Sequence, residues 1–284
     1  MLSWVNGSPY EGHLIYLAEK AKPDKEIPNP WLELEALVGL EVVKKEIREI
    51  CAYASICHKR RVLGLKAEEL MLNMAFVGNP GTGKTTVARI IGRILKSSGV
   101  LTGGQLIEVE RADLVGEYVG HTAKKTKDVL NRALGGVLFI DEAYSLARGG
   151  DKDFGREALD TLVKALEDHR HELVVIVAGY PKEMTQFLKL NPGLLSRIPI
   201  IVEFPDYNEV ELMEIALLFV AARDYRLAPG AVEKLRKKLN HLKGNGRDVR
   251  NILERAMRQQ ALRLEGLEKI KREDLMILKG EDLV

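Results

Sequence analysis

Short apolar runs recur through the first two thirds of the chain, at residues 71–77, 106–109, 137–140, 173–178 and 198–204, with helix-length stretches between them. Several of these runs are almost wholly apolar, the pattern of a strand buried on both faces. Strands that alternate with helices predict a parallel sheet covered on both sides, an α/β architecture. Ahead of the first run, residues 37–65 carry apolar positions at helical spacing, and residues 12–20 read as a short helix. Residues 21–30, AKPDKEIPNP, hold three prolines and read as a linker. After Phe204-Pro205-Asp206-Tyr207 the pattern changes. No strand pattern follows residue 208, and the apolar positions fall at helical spacing in 210–224, 231–242 and 249–264. The expected organisation is an N-terminal segment and linker over 1–34, a large α/β domain over 35–207 and a small all-helical domain over 208–284.

Composition narrows the class of partner. Apolar residues make up 46% of the 284 and charged residues 30%, an ordinary mixture for a soluble protein with a real core. Lys and Arg number 43 against 41 Asp and Glu, so the chain has no electrostatic footprint for nucleic acid or an anionic membrane. The apolar stretch 215–222 is far shorter than the roughly 20 residues of a membrane helix. The N-terminal residues lack a basic segment followed by an apolar one, so a cytoplasmic protein is expected. Cys51 and Cys57 show no CxxC spacing and read as reduced, packed thiols.

The chemistry is concentrated after the first predicted strand. Gly78-Asn79-Pro80-Gly81-Thr82-Gly83-Lys84-Thr85 fits G-x-x-x-x-G-K-[ST], and Thr86 carries it into a predicted helix. Glycines there let backbone N–H groups turn inward around phosphates, Lys84 can reach the β and γ phosphates, and the Thr85 hydroxyl can bind Mg²⁺. Val137-Leu138-Phe139-Ile140-Asp141-Glu142 reads as a central strand delivering two carboxylates to its C-terminal end, where α/β ligands bind. Asp141 is expected to hold Mg²⁺, mostly through water, and Glu142 to act as general base on the attacking water. ATP and Mg²⁺ are the expected substrate and metal. Asp153-Phe154-Gly155 spells a kinase string, but no HRD precedes it and no APE follows, so kinase chemistry is set aside.

Beyond these motifs the chain resembles the CbbX-like AAA+ ATPases, a family that includes sporulation proteins, red-type Rubisco activases and ATPase domains of type VII secretion. The resemblance lies in LVGLEVVKKEI, GNPGTGKTTVARIIG, ERADLVGEYVGHTAKKT, GGVLFIDEAYSLARGGDKDFGREALDTLVK, AGYPKEM, LNPGLLSRIPI, FPDY and GRDVRN, spread over about residues 35–255. It implies an AAA+ phosphate-loop module with a five-stranded sheet, a helical lid and assembly into a ring, usually a hexamer. Val38-Gly39 would then sit by the adenine. Arg197 matches the arginine offered to a neighbouring subunit's γ-phosphate. Arg247 matches the lid arginine called sensor 2, with Arg250 as the competing choice. Tyr118-Val119-Gly120 falls where remodelling ATPases carry a pore loop. The chain departs from the family pattern at one point: Gly179-Tyr180-Pro181 follows the fourth predicted strand where many relatives place a polar sensor. Tyr180 and Asn191 are the alternatives for orienting the water.

A ring ATPase that threads or remodels a protein client is the leading expectation, and the resemblance ties it to sporulation. A Rubisco-activase-like remodeller and an ATP-gated scaffold with little turnover are the alternatives. A DNA-directed motor is disfavoured by the balanced charge.

Overall fold

The computed structural model describes residues 29–284 except 119, 149–152, 191, 241 and 243. The short helix expected at 12–20 and most of the 21–30 linker lie outside the described residues, as do Val119 and Asn191. The chain divides into two compact units, Asn29–Pro205 and Asp206–Val284.

The larger unit is built on five parallel strands, β1 (Met74–Gly78), β2 (Leu106–Val109), β3 (Val137–Ile140), β4 (Val174–Gly179) and β5 (Ile200–Phe204), in the spatial order β2-β3-β4-β1-β5. All five apolar runs became strands, and the two central ones, β3 and β4, are buried along their whole length. That is why they read as continuous apolar runs: each face of the sheet carries helices, so neither side chain of the pleat meets water. Leu138 and Ile140 of β3 share one core with Val175 and Val177 of β4, and with Val129, Leu130, Leu162 and Phe187 from the helices His121–Ala133, Gly155–Asp168 and Pro181–Leu190. Alternation sends Val137 and Phe139 to the opposite face. There the helices Glu41–Val62 and Lys84–Ser97 bury their apolar stripes, among them Val43, Ile47, Cys51, Val87, Ile91 and Ile94. The two cysteines are free and buried, and burial pushes the Cys51 thiol up to about 12, so it is inert at neutral pH.

The smaller unit packs the helices Glu209–Ala221, Pro229–Leu239 and Asn245–Glu265 around Leu217, Leu235, Leu253 and Ala256. Asn208 caps the first of these, accepting from the Glu211 N–H at 3.0 Å while the Glu211 carboxylate accepts from the Asn208 N–H at 2.8 Å. Among the described residues its regular structure is helical except for a parallel pair, Arg226–Leu227 with Ile277–Leu278. Two residues carry no readable period, which is why the sequence pattern shows only helices there. The buried Gln260 anchors this corner, its amide donating to the carbonyls of Asp274, Leu275 and Ile277.

Candidate functional site

Parallel strands put all their C-terminal ends on one edge, and the topology decides which of them become neighbours there. β1 ends in the glycine-rich turn and β3 ends in Asp141-Glu142, with β4 between them. Two strand spacings separate the phosphate loop from the carboxylates, about 10 Å, room enough for a phosphate group and a cation.

The loop itself is shaped by its glycines. A Cβ on Gly78 would lie 2.6 Å from the Phe204 carbonyl oxygen of β5, so this residue cannot carry a side chain without moving the strand. Gly81 and Gly83 hold φ of 75° and 95°, conformations that other residues adopt only at a cost. Gly83 is the N-cap of the helix Lys84–Ser97 and has no side-chain oxygen to close it, so the positive end of the helix dipole faces the turn. The Lys84 ammonium donates to the Gly78 and Asn79 carbonyls at 2.8 Å each, which holds it over the loop. The Thr82 hydroxyl donates to Asn79 O at 2.9 Å and staples the turn.

The second half of the site follows β3. The Asp141 N–H donates to Val109 O of β2 at 2.9 Å, so the aspartate leaves the sheet still in register. Glu142 then turns into the left-handed region, φ 46° and ψ 43°, and its N–H donates to Asp141 Oδ1 at 3.0 Å. A glutamate in this region pays of order 1–3 kcal/mol, a strain that clusters at functional positions. The turn leaves the Glu142 side chain exposed at the sheet edge. Glu108, which sequence reasoning passed over, reaches from edge strand β2 to within 3.5 Å of the Thr85 hydroxyl.

Tyr144, also missed, lies in the 3-10 turn Ala143–Ala147 that follows the carboxylates. Its ring rests on Gly179 at the tip of β4, where an added Cβ would lie 2.6 Å from a ring carbon. Tyr180 stands at 6.1 Å, ring centre to ring centre, and the Arg148 guanidinium lies over the Tyr144 ring at 4.6 Å. Burial, and then the charge of Glu142, push the Tyr144 phenol up to about 12. The absent side chain at Gly179 thus has a local cause: the space is taken by Tyr144. Its only signal in the sequence was an aromatic placed just after the two acids.

Other expected residues are spread more widely. Tyr118 is 66% exposed in the turn before the helix His121–Ala133, with its ring edge-on to His121 at 5.5 Å, and Gly120 has φ 81°. Arg197 ends the helix Pro192–Arg197, its Nε 3.2 Å from Glu167 Oε2. Its backbone is fixed by the buried Asn73, whose amide donates to Arg197 O at 3.0 Å while its oxygen accepts from Val175 N at 2.9 Å. Val38 is buried ahead of Gly39 and Leu40, which both take left-handed φ, 57° and 60°. In the smaller unit Arg247 and Arg250 are exposed on the helix Asn245–Glu265, and Arg250 shares the Phe219 ring with Arg223. The kinase-like string is structural. Asp153 Oδ1 accepts from Arg111 Nη2 and from Gly155 N–H, each at 2.6 Å, and Arg111 Nη1 donates to Ser145 O at 2.6 Å.

The donor set suits a nucleotide phosphate with magnesium. A glycine-rich turn, a helix start without a side-chain cap and one ammonium would suit an anion, and Thr85 and Asp141 offer hard oxygens of the kind magnesium takes. Among the described residues no group of three or more His, Cys, Asp or Glu side chains could hold a metal by itself. Magnesium, which keeps water and takes phosphate oxygens, needs no such cage. No helix among the described residues is long and apolar enough to cross a membrane.

Comparison with known proteins agrees with this arrangement. Residues 74–206 match the ATPase family associated with various cellular activities, and residues 208–284 match the AAA lid domain. The sequence is 53% identical to stage V sporulation protein K of Bacillus subtilis, over 88% of this chain and 80% of that protein. It is 47% identical to Protein CbbX of Cereibacter sphaeroides, over 80% of this chain and 76% of the relative. A chloroplastic ribulose bisphosphate carboxylase/oxygenase activase of Cyanidioschyzon merolae is 44% identical over 87% of each chain.

Proposed function

We propose, for a chain that belongs to the AAA family of ATPases and is itself an ATPase of the branch shared by stage V sporulation protein K and CbbX, that it works as a cytoplasmic ring remodelling or threading a protein client. The observation that carries this reading is the joint placement of the Gly78–Thr86 turn and Asp141-Glu142 at one end of the sheet, together with an exposed aromatic at Tyr118 in the segment that follows β2.

In this reading the backbone of Gly78, Asn79, Pro80, Gly81, Thr82 and Gly83 cradles the ATP phosphates, with Thr86 closing the first turn of the helix. Lys84 trades its two loop carbonyls for β and γ phosphate oxygens, a stronger, charge-assisted pairing. Thr85 and Asp141 hold magnesium, which supplies neutralisation of charge on the phosphate oxygens when bound. Glu142 accepts a proton from the attacking water, which requires its carboxylate to be free of competing cations. Among the described residues its carboxylate forms no salt bridge, and the residue is exposed in a left-handed turn at the end of β3. Val38-Gly39 borders the adenine, Arg247 acts from the lid, and Arg197 is offered to the neighbouring subunit's phosphate. The Tyr118-Val119-Gly120 turn grips an extended client chain by burying an aromatic ring without reading sequence.

Two of the relatives are ribulose bisphosphate carboxylase/oxygenase activases, at 44% and 45% identity, whereas stage V sporulation protein K shares 53% with this chain. A sporulation client is therefore favoured. Assembly tests the reading directly. Light scattering on Glu142→Gln with ATP and magnesium should show a hexamer that disperses when nucleotide is removed. A monomer under every nucleotide condition would overturn the ring.

A further inference from the structure

Tyr144 is 4% exposed, and among the described residues its hydroxyl makes no well-formed hydrogen bond, the Glu142 carboxylate being the one acceptor that bears on it. A buried hydroxyl whose hydrogen bond is poorly formed is a net cost that phenylalanine would avoid, so its presence asks for a state in which that bond is made well. Its surroundings say which role. The ring is wedged between Gly179 at the tip of β4 and the Arg148 guanidinium, so the phenol has little freedom to swing away. Glu142 begins the same 3-10 turn two residues earlier, and its carboxylate lies near enough for its charge to bear on the phenol. The tip of β4 also lies between the phosphate loop and the carboxylates, yet Gly179 brings no side chain there.

We infer that Tyr144 is a positioning residue for hydrolysis: its hydroxyl donates a hydrogen bond to the Glu142 carboxylate when that side chain turns inward over the phosphates. The phenol, buried beside a carboxylate, stays protonated at working pH and so remains a donor. A carboxylate that accepts one hydrogen bond from a fixed donor keeps its other oxygen aimed at the water, and the entropy of a free glutamate is removed before the reaction. Tyr144 thereby supplies, from the turn behind the acids, the polar group that the glycine tip of β4 lacks.

The inference rests on Glu142 being the base, and a double-mutant cycle separates the two claims. Steady-state hydrolysis, nucleotide affinity and thermal unfolding are measured for the wild type, Tyr144→Phe, Glu142→Gln and the double variant. Tyr144→Phe should lower kcat about tenfold, the weight of one hydrogen bond to a charged group, with KM and ATP affinity within about twofold. Its melting temperature should equal or exceed the wild type's, since a buried hydroxyl without a well-formed bond has gone. In the Glu142→Gln background the same change should alter the residual rate by less than about twofold. A wild-type kcat in Tyr144→Phe overturns the inference, as does an equal loss in both backgrounds or a marked fall in melting temperature, which would reveal a structural partner. If Glu142→Gln itself hydrolyses at the wild-type rate, the assignment of the base fails, and the inference with it.

Discussion

The Arg197 guanidinium rests against Glu167, Nε to Oε2 at 3.2 Å, in a pair that meets no hydrogen-bond geometry. The two groups are close enough to attract, but a partly exposed pair of this kind is worth little, on the order of 1 kcal/mol or less. Asn73 meanwhile pins the Arg197 carbonyl, so the side chain can leave Glu167 while the backbone stays in place. A phosphate on a neighbouring subunit would be a better partner than this carboxylate. Arg197→Ala should bind ATP yet hydrolyse it roughly 10³–10⁵ times more slowly, the usual weight of an arginine finger. Mixing it with Lys84→Ala subunits should restore part of the activity, because some interfaces then join an intact loop to an intact arginine. Glu167→Gln should hydrolyse at or above the wild-type rate. Absence of rescue in rings that demonstrably exchange subunits would count against action in trans.

Lys84 and Glu142 should fail in different ways. Lys84→Ala removes the ammonium held over the loop by two carbonyls and should lose ATP binding, as read by titration with a fluorescent nucleotide. Glu142→Gln should bind ATP normally and turn over at least ~10² times more slowly, the contribution expected of a general base. Equal losses of affinity in both variants would contradict the division of labour.

Tyr118 touches little besides His121, so its truncation should not disturb the core. Tyr118→Ala is expected to abolish client remodelling while its melting temperature stays within about 1–2 °C of the wild type. A buried aromatic would instead cost about 3–5 kcal/mol, and a drop of that size in unfolding free energy would sink the pore-loop assignment.

The Arg111–Asp153 pair closes a small structural clasp around Gly155. A Cβ on Gly155 would lie 2.1 Å from Leu146 O and 2.7 Å from Arg111 Nη1, so backbone must shift to admit it. Gly155→Ala should therefore destabilise the larger unit by about 1–3 kcal/mol. Differential scanning calorimetry would show this as a melting temperature several degrees lower.

Acid should act on the smaller unit through Asp282. Burial by itself would raise its pKa, but hydrogen bonds from Arg263 and from the Lys279 N–H, with the charge of both cations, outweigh it and hold the carboxyl below its ordinary value. A carboxyl depressed in the folded state adds stability above its unfolded pKa of about 3.9, and that stability is lost as pH falls through the folded value. Unfolding midpoints should consequently be flat near neutrality and fall below about pH 4. Asp282→Asn should be less stable than the wild type at pH 7 and should approach it in acid. An unchanged midpoint at pH 7 would remove Asp282 from the account.

What the sequence determined by itself was whatever rests on local pattern. The strands are visible as apolar runs, most plainly β3 and β4, because a strand covered on both faces has to be apolar at every position. Gly78 to Thr85 is legible because phosphate binding needs particular residue types at fixed spacing along one turn. Asp141 and Glu142 stand out for the same reason, as acids at the abrupt end of an apolar run. Only the tertiary structure decided what depends on contacts between distant segments. The order β2-β3-β4-β1-β5 brings Val77 of β1 opposite Gly179, and Tyr144 from behind β3 onto that same glycine. No spacing along the chain announces that a tyrosine fills the place of a missing side chain on another strand. Glu108 beside Thr85, Asn73 under Arg197 and Arg111 clasping Asp153 were hidden in the same way. Each is a polar residue of ordinary type, and only the packing of the sheet and its helices gives it a partner.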